Sequence, residues 1–250
     1  MNEILELKGI SAGYENHVVL RGVNLTIHDN DFIGIIGPNG GGKTTLLKVI
    51  LGLMKPFSGE IIYHTSKQSL FGYLPQNSRF DVRFPISVEE VVLSGLMSEK
   101  GVWKTYSKED RLKVKELLDT YGMGAYQKTP IGDLSGGQMQ RVFLCRAIIS
   151  SPKVLILDEP STYVDSNFEK EFYELLEELN KKMSIVMVSH DLGMICSYVK
   201  TIACVNGGLH YHESNLISQE QLKMYNCPIE LISHGTVPHR VLLKHEKDGE

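Results

Sequence analysis

The amino-acid sequence predicts an α/β fold, a mostly parallel sheet covered by helices on both sides. Short, nearly continuous apolar runs (DFIGIIG, VLILD and SIVMVSH) suit strands buried on both faces. Each is followed by a helix-like stretch: LLKVILGLM after the first, SNFEKEFYELLEELNKK after the second, DLGMICSYV after the third. Strands alternating with helices at this spacing are parallel neighbours joined by crossovers.

The elements follow in order. ILELKGI and HVVLRGVNLTI are β-rich runs set off by turns, and they read as strands ahead of DFIGIIG. LLKVILGLM has apolar residues around most of a helix, as expected of a buried one. SGEIIYH and FGYLPQ read as further strands. From Asn77 to Ser151 the character turns helical. SVEEVVLSGL is a predicted helix with Ser87 as N-cap and acidic residues in its first turn, where they oppose the dipole. In SKEDRLKVKELLDTYG, Ser107 and Asp110 are spaced as a capping box, Val114, Leu117, Leu118 and Tyr121 share one face, and Gly122 is the expected stop. The α/β pattern then resumes. After VLILD, the next helix puts Phe168, Phe172, Leu175, Leu176 and Leu179 on one face, and TIACV is a further strand. From Tyr225 periodicity is lost. Residues 1–224 are therefore expected to form the main domain, 77–151 a helical insert in it, and 225–250 an appended tail.

Composition bounds the setting. The 250 residues suffice for a large domain with a buried core, and 42% hydrophobic with 22% charged residues is ordinary for a globular protein. A formal net charge of -4 argues against a nucleic-acid partner held by bulk electrostatics. Cys145, Cys196, Cys204 and Cys227 contain no CxxC pair, which suits free thiols in a reducing compartment. MNEILELKGI is acidic where a signal peptide is basic, and no apolar run approaches the ~18 residues needed to span a bilayer. The expected location is the cytoplasm, with any membrane work done through another chain.

Gly37 to Thr44 fits G-x-x-x-x-G-K-[ST], between a predicted strand and a predicted helix. Glycines let backbone N–H groups turn inward around a phosphate, and the helix N-terminus adds its positive dipole end. Lys43 supplies a point charge for β- and γ-phosphates, and the Thr44 hydroxyl suits Mg²⁺. VLILDEP ends a buried strand in two carboxylates, which is costly without a task. Asp158 is placed to hold Mg²⁺ through water, and Glu159 to polarise an attacking water. Gln76, closing FGYLPQ, and His190, closing SIVMVSH, each have a plain reading, as a strand-end polar residue and a core histidine. Yet all four sit at carboxyl ends of predicted strands, where open α/β sheets bind ligands.

LSGGQMQR, Leu134 to Arg141, looks like a second phosphate-seeking loop before a helix. The order GPNGGGKTT, GYLPQ, LSGGQMQR, VLILDEP, STYVD and SH resembles the ATP-binding subunit of ABC transporters over nearly the whole chain. The resemblance implies a P-loop NTPase core with a mostly parallel sheet, an N-terminal antiparallel β subdomain and an inserted α-helical subdomain. It also implies ATP and Mg²⁺ as ligands and a head-to-tail pair of subunits. Each nucleotide then lies between the P-loop of one chain (Gly37, Pro38, Asn39, Gly40, Gly41, Gly42, Lys43, Thr44, Thr45) and Ser135, Gly136, Gly137 and Gln138 of the other. Tyr14 falls where an aromatic stacks on adenine. Gln76 would touch Mg²⁺ and the attacking water, Asp165 would lie at the subunit interface, and His190 would position the γ-phosphate. The chain departs from the commoner pattern in having Gly41 for Ala or Ser, Thr44 for Ser, and Tyr163-Val164 for Ala-Leu. None of these removes a polar group that the chemistry needs.

More narrowly, GPNGGGKTTLLK, YLPQNSRFDVRFPISVEEVVLSGL and the tail CPIELISHGTVPHRVL resemble the ATPase subunit of bacterial zinc and manganese importers. That implies integral-membrane permease subunits as partners, attachment to the inner face of the membrane through them, and an extracytoplasmic metal-binding protein acting indirectly. Iron–siderophore or other small-solute import, and a non-transport regulatory ATPase, are the alternatives. Cys227, His234, His239 and His245 are metal-ligand types, but their spacing matches no compact ligand pattern, and the tail reads as packing on the core or on its twin. His210 and His212 alternate as on an exposed hairpin face. A GTPase lacks support because no NKxD-type element follows the P-loop. A coiled-coil DNA-repair ATPase lacks it because only short helices separate the P-loop from LSGGQ.

Overall fold

The computed structural model describes residues 2–66, 69–76, 84–97, 105–160, 166–189, 192–215, 231–233 and 238–240, with the backbone alone for 166–169, 192–194 and the last two segments. The chain opens with an antiparallel sheet. Strand β1 (Glu3–Tyr14) lies between β2 (His17–His28) and β4 (Ser58–Tyr63), with register shifts along β1. The main sheet follows the order β5 (Phe71–Leu74), β6 (Val154–Asp158), β7 (Ser184–Val188), β3 (Phe32–Ile36), β8 (Thr201–Val205) and β9 (Leu209–His212). All neighbours are parallel except the β8–β9 hairpin. β10 (Leu231–Ser233) and β11 (Pro238–Arg240) form a small antiparallel pair within the stretch read as a tail.

β3, β6 and β7 are buried at every residue. Their period-2 alternation sends side chains into two separate cores. Ile33, Ile35, Val154, Ile156, Val186, Val188, Ala203 and Val205 point to one core, shared with Leu46, Leu47, Val49 and Ile50 of α1 (Lys43–Ile50) and with β1 and β2. Phe32, Ile36, Leu155, Leu157, Ile185, Met187, Ile202 and Cys204 point to the other. There they meet Leu144, Ala147 and Ile148 of α4 (Gly136–Ile148), Phe172, Tyr173 and Leu176 of α5 (Ser166–Asn180), and Ile195 of α6 (Leu192–Tyr198). Helices α1 and α4 thus cover opposite faces of the sheet.

A third core lies among the helices of the middle stretch. Val88, Val91, Val92 and Leu93 of α2 (Val88–Leu93) pack with Val114 and Leu118 of α3 (Lys108–Thr120) and with Val142, Cys145 and Ile149. Both expected caps form. Ser87 Oγ accepts from Glu90 N and Ser107 Oγ from Asp110 N, each with the reciprocal carboxylate bond. Gly122, at φ 71°, ends α3, with Met123 N donating to Leu118 O at 2.7 Å. Burial pushes the Cys145 thiol up to about 12, so it stays a protonated core group.

One expectation needs correction. LLKVILGLM does not continue as buried helix to its end, because α1 stops at Ile50. Gly52, at φ 71°, turns the chain, and Leu53 N returns to Lys48 O at 2.8 Å, leaving Leu53 70% exposed.

The packing of α4 on β5 depends on Gly72. A Cβ there would stand 2.2 Å from the Ala147 carbonyl oxygen, a backbone atom that cannot rotate aside. Gly72→Ala is expected to destabilise the fold by about 1–3 kcal/mol in urea unfolding followed by circular dichroism.

Candidate functional site

The parallel register brings strand ends together. Ile35 pairs with Val188, Val188 with Asp158, and Leu157 with Leu74. The residues that follow β3, β6 and β5 (Gly37, Glu159 and Gln76) therefore line one edge of the sheet, with Asp158 the last residue of β6. Ser189, after β7, donates its N–H to Ile35 O at 3.3 Å on the same edge. His190 and Asp165 lie outside the described residues.

Gly37 to Thr45 wraps from β3 into α1. Gly37, Gly40 and Gly42 have φ of 152°, 77° and 106°, values that side chains rarely adopt. A Cβ on Gly37 would meet Val205 O at 2.0 Å, so the loop can lie against β8 only without one. Gly207 N also donates to Gly41 O at 3.0 Å, so the turn between β8 and β9 braces the loop. Among the described residues nothing lies within 4 Å of where a Cβ on Gly40 would stand, and Asn39 and Gly40 are exposed. The loop is thus held from below and open above.

Lys43 is only 6% exposed, and its Nζ donates to Gly37 O at 2.9 Å and Pro38 O at 3.0 Å. The ammonium is threaded back through the loop it begins beneath. Thr45 is buried beside it, whereas Thr44 is exposed. Asp158 is 4% exposed, with Tyr73 Oη 3.5 Å from its Oδ2. Burial, reinforced by the Asp158 carboxylate, pushes the Tyr73 phenol up to about 12, so the hydroxyl keeps its proton toward that carboxylate. Glu159 adopts φ 50°, unusual outside glycine, and its N–H donates to Val188 O at 3.0 Å. Gln76 Nε2 donates to Glu159 Oε2. Thr44, Gln76 and Asp158 together offer oxygen ligands only, a donor set that fits a hard cation such as Mg²⁺.

Tyr14 ends β1 and is 46% exposed. Lys48 Nζ donates to its hydroxyl at 3.1 Å and stands 5.3 Å from the ring centroid, which joins the ring to α1. That hydrogen bond lowers the Tyr14 phenol below its ordinary value. Sequence reasoning missed Lys48, which looks like a surface lysine on an apolar helix. It also missed Tyr73, one of two inner positions of a short strand.

Ser135, Gly136, Gly137 and Gln138 open α4. Ser135 Oγ accepts from Gln138 N at 3.3 Å, and Gln138 Oε1 accepts from Ser135 N at 3.0 Å. The cap uses a lone pair of Ser135 and leaves its O–H able to donate outward, where Ser135 and Gly136 are exposed. This loop belongs to the helix across the sheet from α1 and is not part of the Gly37–Thr45 wrapping.

Replacing Lys48 by Met should move the Tyr14 titration toward alkaline pH, because the phenolate loses its donor. The check is absorbance at 295 nm, taken as the difference between Lys48→Met chains with and without Tyr14→Phe.

Comparison with known proteins agrees with this arrangement. Residues 20–162 match the ABC transporter domain. The zinc uptake system ATP-binding protein ZurA of Listeria innocua is 40% identical over 235 residues, covering 88% of this chain and 91% of that protein. The zinc import ATP-binding protein ZnuC of Pasteurella multocida is 40% identical over 205 residues, 81% of this chain and 73% of that one. A solved metal-chelate type ABC transporter in an inward-facing conformation superposes with a TM-score of 0.84 at 25% identity, covering 98% of this chain and 99% of that one. With the loop, the strand-end carboxylates and the LSGGQ helix all in place, the chain belongs to the ABC transporter family of ATP-binding proteins.

Proposed function

We propose that this chain binds and hydrolyses ATP to power the import of divalent transition-metal ions, zinc or manganese, through a separate membrane permease. The relatives at 40% identity are named for zinc uptake and zinc import, which supports zinc as the first candidate. Among the described residues no helix is long and apolar enough to cross a membrane, in keeping with a permease on other chains. An extracytoplasmic metal-binding protein would deliver the ion to that permease. A metal-chelate substrate is the second reading, supported by the likeness to the metal-chelate type transporter.

The observation that carries the ATPase reading is the placement of the two phosphate loops on helices at opposite faces of one sheet. Lys43 and the Gly37–Thr45 N–H groups can hold the β- and γ-phosphates from one side. The outward oxygens of the γ-phosphate then need donors from another chain, and Ser135, Gly136, Gly137 and Gln138 are exposed or half-exposed donors at a helix start. A head-to-tail homodimer would meet that need twice, and Asp165 would lie at its interface. Tyr14 offers its exposed ring to adenine. Mg²⁺, held by Thr44, Gln76 and Asp158, would screen phosphate charge. Glu159 takes a proton from the attacking water as its oxygen bonds to the γ-phosphorus, and the bond to the ADP oxygen breaks. Gln76 holds the Glu159 carboxylate in place, and His190 would orient the γ-phosphate. The helical core around α2 and α3, joined to Gln76 through the segment 77–83, would carry closure to the permease.

Glu159→Gln should bind ATP, lose hydrolysis by about 100-fold or more, and accumulate as an ATP-bound dimer in light scattering. Rapid steady turnover by that variant removes Glu159 from the role. Lys43→Ala should weaken ATP binding by about 10–100-fold in calorimetry. For the transported ion, cells lacking the protein are grown under metal limitation and their metals measured by mass spectrometry. A selective fall in zinc or manganese that Glu159→Gln does not restore is the expected result. Unchanged metals would break the import reading and leave the ATPase standing.

A further inference from the structure

The second glutamine of LSGGQMQR has no part in the roles above. Gln140 lies a little over one turn into α4, past the exposed Ser135 loop. Its Nε2 donates to the carbonyl oxygen of Pro160, the residue after Glu159. Its Oε1 is buried, with no hydrogen-bond partner among the described residues. An unmet buried acceptor costs about 1–3 kcal/mol, which an apolar side chain of the same length would avoid. Stability therefore does not account for an amide here. What the amide provides is a donor on Pro160.

That donor completes a frame around Glu159. Val188 O receives the Glu159 N–H at 3.0 Å, Gln76 holds its carboxylate, and Gln140 holds the next carbonyl along the chain. Glu159 needs such a frame, because φ 50° costs a non-glycine residue about 1–2 kcal/mol when nothing enforces it. Another tie from the same turn of α4 is Arg141 to Glu171 of α5, at 2.6 Å. Its partners are 29% and 64% exposed, so water screens it. The Gln140 tie is the better shielded of the two and ends beside the base.

We propose that Gln140 is a positioning residue that couples the two ATP sites, fixing Glu159 of one site to the helix that reads the nucleotide of the other. This rests on the ATP-sandwich dimer proposed above. A nucleotide seated against Ser135–Gly137 from the partner's P-loop immobilises α4, and through Gln140 it sets the Glu159–Pro160 backbone. Each site then hydrolyses fastest when the other is filled.

The test uses the purified full chain. Gln140→Leu removes the donor with an apolar side chain one bond shorter. It should leave single-site ATP affinity within about 2-fold of wild type, lower kcat about 2–10-fold for one lost hydrogen bond, and bring the Hill coefficient in ATP down to about 1. Gln140→Glu guards against a packing artefact. Its carboxylate cannot donate to Pro160 O, but its protonated form can, so its kcat relative to wild type should rise as pH falls. Because protonation also relieves a buried charge, the melting temperature is followed over the same pH range, and a rise in kcat that only tracks recovered stability overturns the positioning role. Wild-type kcat and Hill coefficient in Gln140→Leu overturn the coupling, as does a wild-type chain that hydrolyses without cooperativity. The Glu159→Gln chain, with and without Gln140→Leu, separates this from the dimer itself. If Glu159→Gln forms no ATP-dependent dimer, the sandwich reading fails and the coupling with it. If it dimerises while Gln140→Leu stays cooperative, the coupling alone fails.

Discussion

The central strands β3, β6 and β7 are buried on both faces, and their strict alternation of side chains divides the packing against the sheet into two cores that share only a backbone. Everything about the site depends on that division. On one face Leu46, Leu47, Val49 and Ile50 anchor α1 and so fix the loop that Lys43 closes. On the other, Leu144, Ala147 and Ile148 anchor α4 and so fix the LSGGQ loop. Because the strands are parallel, their carboxyl ends share one edge, where Asp158 ends β6 and Glu159 follows it.

The edge itself is held by backbone rather than by side-chain packing. Gly37 lies against Val205 O and Gly41 O takes the Gly207 N–H, so the phosphate loop rests on β8 and the turn after it. The buried Lys43 ammonium meets two carbonyls of its own loop, which keeps the loop in shape before any phosphate arrives. Glu159 is the strained member, in a left-handed conformation that its neighbours enforce. Preorganisation of this kind lets a site stabilise developing charge without rearranging at the moment of reaction.

The buried strands were legible in the sequence because burial on both faces leaves an apolar run that few other structures produce. The caps at Ser87 and Ser107 and the stop at Gly122 were legible because each is a local contact over a few residues. The end of α1 was not. Leu51 to Met54 keep an apolar pattern, but Gly52 breaks the helix, and an isolated glycine in such a pattern is ambiguous. Strand order was also out of reach, since β3 sits between β7 and β8 through contacts far apart in sequence. Within the site, motif residues were readable one by one. Their supports were not, because Lys48, Tyr73 and Gln140 gain their roles only from what the fold brings beside them.

Whether the two loops complete one site across two chains decides the mechanism. A mixing experiment tests this most directly. Lys43→Ala spoils only the P-loop side and Ser135→Arg only the signature side, and each chain alone should be close to inactive. Mixed, they can form a dimer in which the intact P-loop of the Ser135→Arg chain faces the intact LSGGQ of the Lys43→Ala chain. The mixture should hydrolyse ATP well above the sum of its parts, at about 2–10-fold below the wild-type rate per intact site because the coupled second site stays unfilled. A mixture no more active than that sum would mean that each site is completed within its own chain or needs both composite sites intact, contradicting independent completion of a site across the pair.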